Sequence, residues 1–158
     1  MLTKKESYNV AVVGATGIVG ESLLEILYSR RFPISSIHAV ASKKSKGSKA
    51  KFGDQLLTVE SLDEFNFTDI DIAFFSAGSS VSKEYATKAT TQGCIVIDNT
   101  SEFRYKQDIP LVVPEVNPQD IDLYKHKNII ANPNCSTIQV LVALKPLHDT
   151  FCVKHINV

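Results

Sequence analysis

Residues 8–20 read Tyr8-Asn9-Val10-Ala11-Val12-Val13-Gly14-Ala15-Thr16-Gly17-Ile18-Val19-Gly20. The β-rich run ends at Gly14, and the spacing of Leu23, Leu24, Ile26 and Leu27 predicts a helix over 18–32, closed by Pro33. The glycines at 14, 17 and 20 thus occupy a strand-to-helix turn, where a G-x-x-G-x-x-G fingerprint holds a dinucleotide. Glycine permits close backbone approach to a pyrophosphate, and the free N–H groups at the helix start stabilise the anion. A tight turn with no ligand is the plain alternative. Residues 37–41 supply a second strand and complete a β-α-β unit.

The alternation continues along the chain. A short strand is expected at 56–59, then a helical turn at 61–65 with Ser61 and Glu64 at capping-box spacing. A strand at 70–75 leads into Ser76-Ala77-Gly78, a helix follows over 81–91 with Gly93 as its stop, and a strand returns at 94–98. Asn117 and Pro118 start a short helix, and 128–131 is another strand. After the turn at 132–137 a helix begins that Pro146 should kink or end, and 151–158 reads as a last strand. Such a pattern implies an α/β protein with a Rossmann-type, doubly wound, mostly parallel sheet. Residues 1–133 are expected to form the nucleotide-binding domain, and 134–158 the truncated start of an α+β catalytic domain.

The 158 residues are 44% hydrophobic, enough for a packed core, and seventeen basic side chains balance seventeen acidic ones. Zero net charge removes the global argument for nucleic acid or an anionic membrane surface. No apolar run approaches the length of a membrane span, and the first residues lack a signal-peptide core, so a cytoplasmic protein is expected. Cys94, Cys135 and Cys152 are too few for a disulfide framework, and no Cys/His cluster has metal spacing. His38, His126, His148 and His155 read as packed or solvent-facing.

A Rossmann protein that prefers NAD carries an acid about 20 residues beyond the fingerprint. Here the second strand ends in Ala41-Ser42-Lys43-Lys44-Ser45, and hydroxyls and ammonium groups replace that carboxylate. They suit a 2′-phosphate, so NADP is the expected cofactor, with a solvated basic loop as the alternative. Ser76, Ala77 and Gly78 end a strand where open α/β sheets bind ligands, though a helix cap would serve equally.

Cys135 lies in a strand-to-helix turn, and a helix N-terminus favours the thiolate, the nucleophilic form. The N–H groups there, with Asn134, would receive an oxyanion. A small buried hydrophobe is the ordinary role of a single cysteine, and Cys94 and Cys152 fit it. Arg104, just past a strand end, offers a fork to phosphate or carboxylate, or else a surface ion pair.

Gly14–Gly20, Ala41–Ser45, Ser76–Gly78, Asp98-Asn-Thr-Ser-Glu-Phe-Arg104, Val113-Pro-Glu-Val-Asn117 and Asn132-Pro-Asn-Cys-Ser-Thr137 together resemble the aspartate-semialdehyde dehydrogenase family, in order and over nearly the whole chain. The resemblance implies NADP-dependent reductive dephosphorylation of L-aspartyl-4-phosphate, on the route to lysine, threonine, methionine and diaminopimelate. It implies Cys135 as the nucleophile that displaces phosphate to form a thioester, which hydride from NADPH then reduces. Arg104 matches the family's phosphate-binding arginine, and Thr16, Gly17, Ile18, Val19, Lys44 and Ser45 match its NADP contacts; Asn99 is expected beside Arg104 at the substrate phosphate, and Gly14, Gly20, Ser42, Lys43, Ser76, Ala77 and Gly78 in the cofactor site. Lys44 stands where the family has an arginine, which keeps the charge and loses the fork.

The family's substrate-binding glutamine, lysine and arginine and its acid/base histidine have no counterpart here, so an N-terminal fragment, inactive alone, is expected from a protein that is a homo-oligomer when complete. N-acetyl-glutamyl-phosphate reductase is the enzymatic rival, with glycine at the place of Asn134. A nucleotide-binding module without chemistry is the other alternative.

Overall fold

The computed structural model describes residues 4–157. β1 (Tyr8–Val13) is wholly apolar from Val10 onward because both of its faces are covered, and α1 (Ile18–Ser29) packs Leu24 and Leu27 against one of them. α1 stops three residues before the expected end. Arg31 takes φ +50°, a left-handed conformation that breaks the helix ahead of Pro33.

β2 (Ile34–Ala41) begins earlier than the periodicity implied and pairs parallel with β1 along its length. Then come a 3-10 turn at Lys43–Ser45 and two strands, β3 (Lys49–Phe52) and β4 (Gln55–Thr58). These form an antiparallel hairpin of their own, so the strand expected near 56–59 exists but lies outside the main sheet. The rings of Phe52 and of Tyr28 in α1 meet edge to face, with centroids 5.4 Å apart.

β5 (Glu60–Ser61) replaces the start of the helical turn expected at 61–65. No capping box forms: Ser61 is buried in a strand and its hydroxyl finds no partner among the described residues, while Glu64 pairs with Lys46 at 2.5 Å. β6 (Ile72–Phe75), α2 (Ser79–Thr91), β7 (Ile95–Asp98) and β8 (Ile129–Ala131) follow. The main sheet runs β5-β2-β1-β6-β7-β8, all parallel. Numbered by appearance within the sheet, that order is 3-2-1-4-5-6, the arrangement of a doubly wound dinucleotide-binding fold. The strand order reverses between β1 and β6.

The segment at Pro118–His126 is 3-10 rather than α-helical, and Asn117 does not cap it through its side chain. That amide turns back to accept from the Val113 N–H and donate to the Leu111 carbonyl. α3 (Cys135–Phe151) passes through Pro146 without ending there and buries none of its residues. Proline forgoes one hydrogen bond, to the carbonyl of Val142, and that residue is 39% exposed. The expected strand over 151–158 does not form: Cys152 ends α3 at φ +51°, and 153–157 is irregular. Val158 lies outside the described residues. Cys152 is also exposed rather than buried, unlike Cys94. No helix among the described residues is long and apolar enough to cross a membrane.

Candidate active site at the carboxyl edge of the sheet

The fingerprint glycines have different physical duties. Gly14 leaves β1 at φ +92°, and a Cβ there would fall 2.9 Å from Ser76 Oγ and 3.0 Å from the Ala77 nitrogen. Gly20 must be glycine for packing, since a Cβ would come 2.1 Å from the Gly14 carbonyl oxygen. Gly17, the N-cap of α1, has an ordinary φ of −95°, and a Cβ would meet nothing closer than the Gly14 oxygen at 3.4 Å. The first two are required by the protein itself. The third leaves open backbone at the helix start, beside exposed Thr16 and Ile18.

Ser76 donates to the Val13 carbonyl at 3.2 Å, which joins the ends of β1 and β6 where the strand order reverses. The Ser76–Gly78 turn and the 14–20 loop therefore form two walls of one crevice. Lys43 and Lys44, at the end of β2, are exposed and in no salt bridge among the described residues. They lie on the other side of β1 from Ser76–Gly78. A cradle for a pyrophosphate with a basic extension at one end is what these elements offer; among the described residues no cluster of side chains suits a metal ion.

Further along the same edge, a cleft of about 240 Å³ is lined by Val19 and Leu23 of α1, Phe74 and Ile97 of the sheet, and Asn99 and Asn132. Asn132 Nδ2 donates to Asn99 Oδ1 at 2.6 Å, tying the exit of β7 to that of β8. Arg104 lies against both: Nε donates to the Asn132 carbonyl at 3.0 Å and Nη2 to the Asn99 carbonyl at 3.1 Å. No salt bridge involves it among the described residues, which removes the surface ion-pair reading. Of a guanidinium's five N–H donors, two are taken and three remain for an anion.

Cys135 is exposed and is the first residue of α3. Asn134 caps that helix, its Oδ1 accepting from the Ser136 N–H at 3.0 Å. One of the N–H groups expected to receive an oxyanion is thus already engaged by the cap. Cys94 is the opposite case, buried under β7 with its thiol pushed up to about 12, chiefly by burial.

Asp98 was missed as a site residue by sequence reading. Its carboxylate is fully buried and accepts from Ser82 Oγ of α2 at 2.5 Å and Thr100 Oγ1 at 2.7 Å. Burial pushes this carboxyl up, opposed by the two hydroxyls and by the Arg104 charge. Asn132 is likewise not singled out by residue type; its place in the turn just before Cys135 is the available signal.

The family model described as the semialdehyde dehydrogenase NAD-binding domain matches residues 9–124. The aspartate-semialdehyde dehydrogenase of Legionella pneumophila is 55% identical over 150 residues, which is 95% of this chain and 43% of that protein. A crystal structure of aspartate semialdehyde dehydrogenase II from Vibrio cholerae, complexed with ASA, is similar with a TM-score of 0.88 and 52% identity, covering 90% of this chain and 47% of that one. The aspartate semialdehyde dehydrogenase of Candida albicans, crystallised with NADP, is similar at 0.76 and 31%, covering 92% and 48%. The chain spans less than half the length of these relatives.

Proposed function

The chain belongs to the semialdehyde dehydrogenase family through its NAD-binding domain, and on that premise we propose that it is the nucleotide-binding, thiol-bearing part of a cytoplasmic, NADP-dependent aspartate-semialdehyde dehydrogenase. The reaction is reductive dephosphorylation of L-aspartyl-4-phosphate to aspartate semialdehyde and phosphate, a step of amino-acid biosynthesis. The observation that carries this reading is an exposed thiol at the head of α3, three residues after the asparagine whose carbonyl holds Arg104.

The crevice suits a dinucleotide on structural grounds: Gly17, unlike Gly14 and Gly20, has no packing reason to be glycine, and it leaves open backbone at the start of α1. Gly14, Thr16, Gly17, Ile18, Val19 and Gly20 would hold the pyrophosphate, with Ser76, Ala77 and Gly78 along the opposite wall. Ser42, Lys43, Lys44 and Ser45 favour the 2′-phosphate of NADP, a preference supported by the NADP in the Candida relative. Bound there, the dinucleotide supplies the hydride.

This chain's own residues do the rest. Cys135 Sγ attacks the acyl carbon, the C–O bond to phosphate breaks, and a thioester remains on sulfur. Arg104 and Asn99 hold the phosphate as it leaves, and Asn134 keeps the nucleophile's turn in register. Residues 1–133 are the nucleotide domain in this account and 134–158 the beginning of the catalytic part, a division supported by α3 burying none of its residues. The complete protein is a homo-oligomer acting on small molecules.

The test is expression of the complete coding sequence containing this chain, assayed for phosphate-dependent reduction of NADP with aspartate semialdehyde. Turnover is expected, with a loss of about 10³-fold or more in Cys135→Ser. Absence of turnover, or preferential use of N-acetylglutamate semialdehyde, rejects the assignment.

A further inference from the structure

The two carbonyls that hold Arg104 are both tied to one buried residue. Asn99 is the covalent neighbour of Asp98, and Asn132 donates its N–H to the Asp98 carbonyl at 2.8 Å. The Asp98 side chain then fixes what surrounds that pair. One carboxylate oxygen takes the hydroxyl of Ser82, itself fully buried in α2, and the other takes the hydroxyl of Thr100. Thr100 Oγ1 in turn accepts from the Glu102 N–H at 3.3 Å, which shapes the turn leading into Arg104. Phe103 is buried in the core between them.

We infer that Asp98 is a positioning residue, which holds the 98–104 turn through Thr100 and anchors it to α2 through Ser82, so that Arg104 presents its free N–H edge to the substrate's phosphate. The inference rests on the function proposed above for Arg104 and deepens it. A fully buried carboxylate is seldom the most stable filling for its volume, and here one oxygen accepts from α2 and the other from the turn that follows β7. Such charge-assisted bonds are short and directional, which suits setting a geometry better than an apolar contact does. The link reaches Cys135 as well. Asn132, bonded to Asp98 through its N–H and to Asn99 and Arg104 through side chain and carbonyl, lies three residues before the thiol.

The experiment uses the complete enzyme with Asp98→Asn, Thr100→Val and Thr100→Ser, measured in the direction that consumes inorganic phosphate. The KM for phosphate is expected to rise roughly tenfold in Asp98→Asn and Thr100→Val, to return towards wild type in Thr100→Ser, and the KM for NADP to change less than about twofold. An unchanged phosphate KM in an active Thr100→Val enzyme overturns the inference, as does a parallel rise of both KM values, which would mark a general structural role. Binding of inorganic phosphate followed by phosphorus NMR line broadening separates this from the function itself. If the wild type binds phosphate without oxidising aspartate semialdehyde, the assigned activity fails, and weaker binding in Thr100→Val alone still upholds the positioning role. If the wild type neither turns over nor binds phosphate, both fail.

Discussion

Asn99 and Asn132, 33 positions apart in the chain, meet side chain to side chain at 2.6 Å where β7 and β8 leave the sheet. Each also lends its carbonyl to Arg104. Asn132→Ala removes the side-chain link and leaves that carbonyl in place. A several-fold loss in kcat/KM for aspartate semialdehyde is expected, with unchanged NADP affinity, in steady-state assays of the complete enzyme. A wild-type kcat/KM would mean that the backbone contacts alone set the site.

Gly17 and Gly20 separate ligand demand from packing demand. Gly20→Ala places a methyl 2.1 Å from a backbone oxygen, so a destabilisation of about 3 kcal/mol is expected in denaturant unfolding. Gly17→Ala meets only an ordinary contact. It should fold with near-normal stability and still lose roughly tenfold in dinucleotide affinity by fluorescence titration, because the added methyl stands where the pyrophosphate approaches.

The basic end of the crevice can be tested by cofactor discrimination. Lys44→Ala is expected to weaken NADPH binding roughly tenfold and NADH binding little, since only the former carries the 2′-phosphate. Equal losses for the two cofactors would assign Lys44 to the general field of the loop.

The three thiols should differ sharply. With a small alkylating reagent near neutral pH, Cys135 and Cys152 are expected to be modified in the folded protein, and Cys94 only after unfolding, as read by peptide mass spectrometry. Burial and a thiol pushed up to about 12 both protect Cys94. Modification of Cys94 at the rate of Cys152 would contradict its place in the core.

Asp71 anchors the opposite end of the sheet. Burial raises its carboxyl, but the hydrogen bond from Lys5 at 2.5 Å, the Asn9 N–H at 2.9 Å and the Lys5 charge outweigh this and hold it below the ordinary value. Its stabilisation is therefore present above the unfolded carboxyl pKa of about 3.9 and is lost as pH falls through the lower native value. Asp71→Asn is expected to cost about 1 kcal/mol at neutral pH and to flatten thermal stability against pH in the acid range. A variant with the same acid slope as wild type would remove Asp71 from the account.

Much of this was legible in residue order. β1, α1, β6, α2 and β7 follow from apolar runs and helical spacing, because each is buried by one fixed geometry. β3 was hidden because Lys49 and Lys51 dominate its composition, although Ala50 between them is buried at 4% and Gly53-Asp54 makes the turn. The end of the chain misled for the converse reason. Apolar residues near 151–158 suggest a strand, yet among the described residues no strand pairs with them, and α3 simply continues past a proline whose lost bond is cheap at an exposed face. At the candidate site, the placement of Asn134 and Cys135 in the turn before α3 and of Arg104 beyond β7 is readable from residue order. The burial of Asp98 against Ser82 is not, because Ser82 lies sixteen positions earlier on another element.

β8 has three residues, and the segment at 110–112 bonds along it through Ala131. The β8 border of the sheet therefore offers no long row of unpaired amides to a foreign strand. A parallel sheet this apolar would be a template for aggregation at β8 if that flank were longer. That brevity is a safeguard at the border from which the chain runs on into α3.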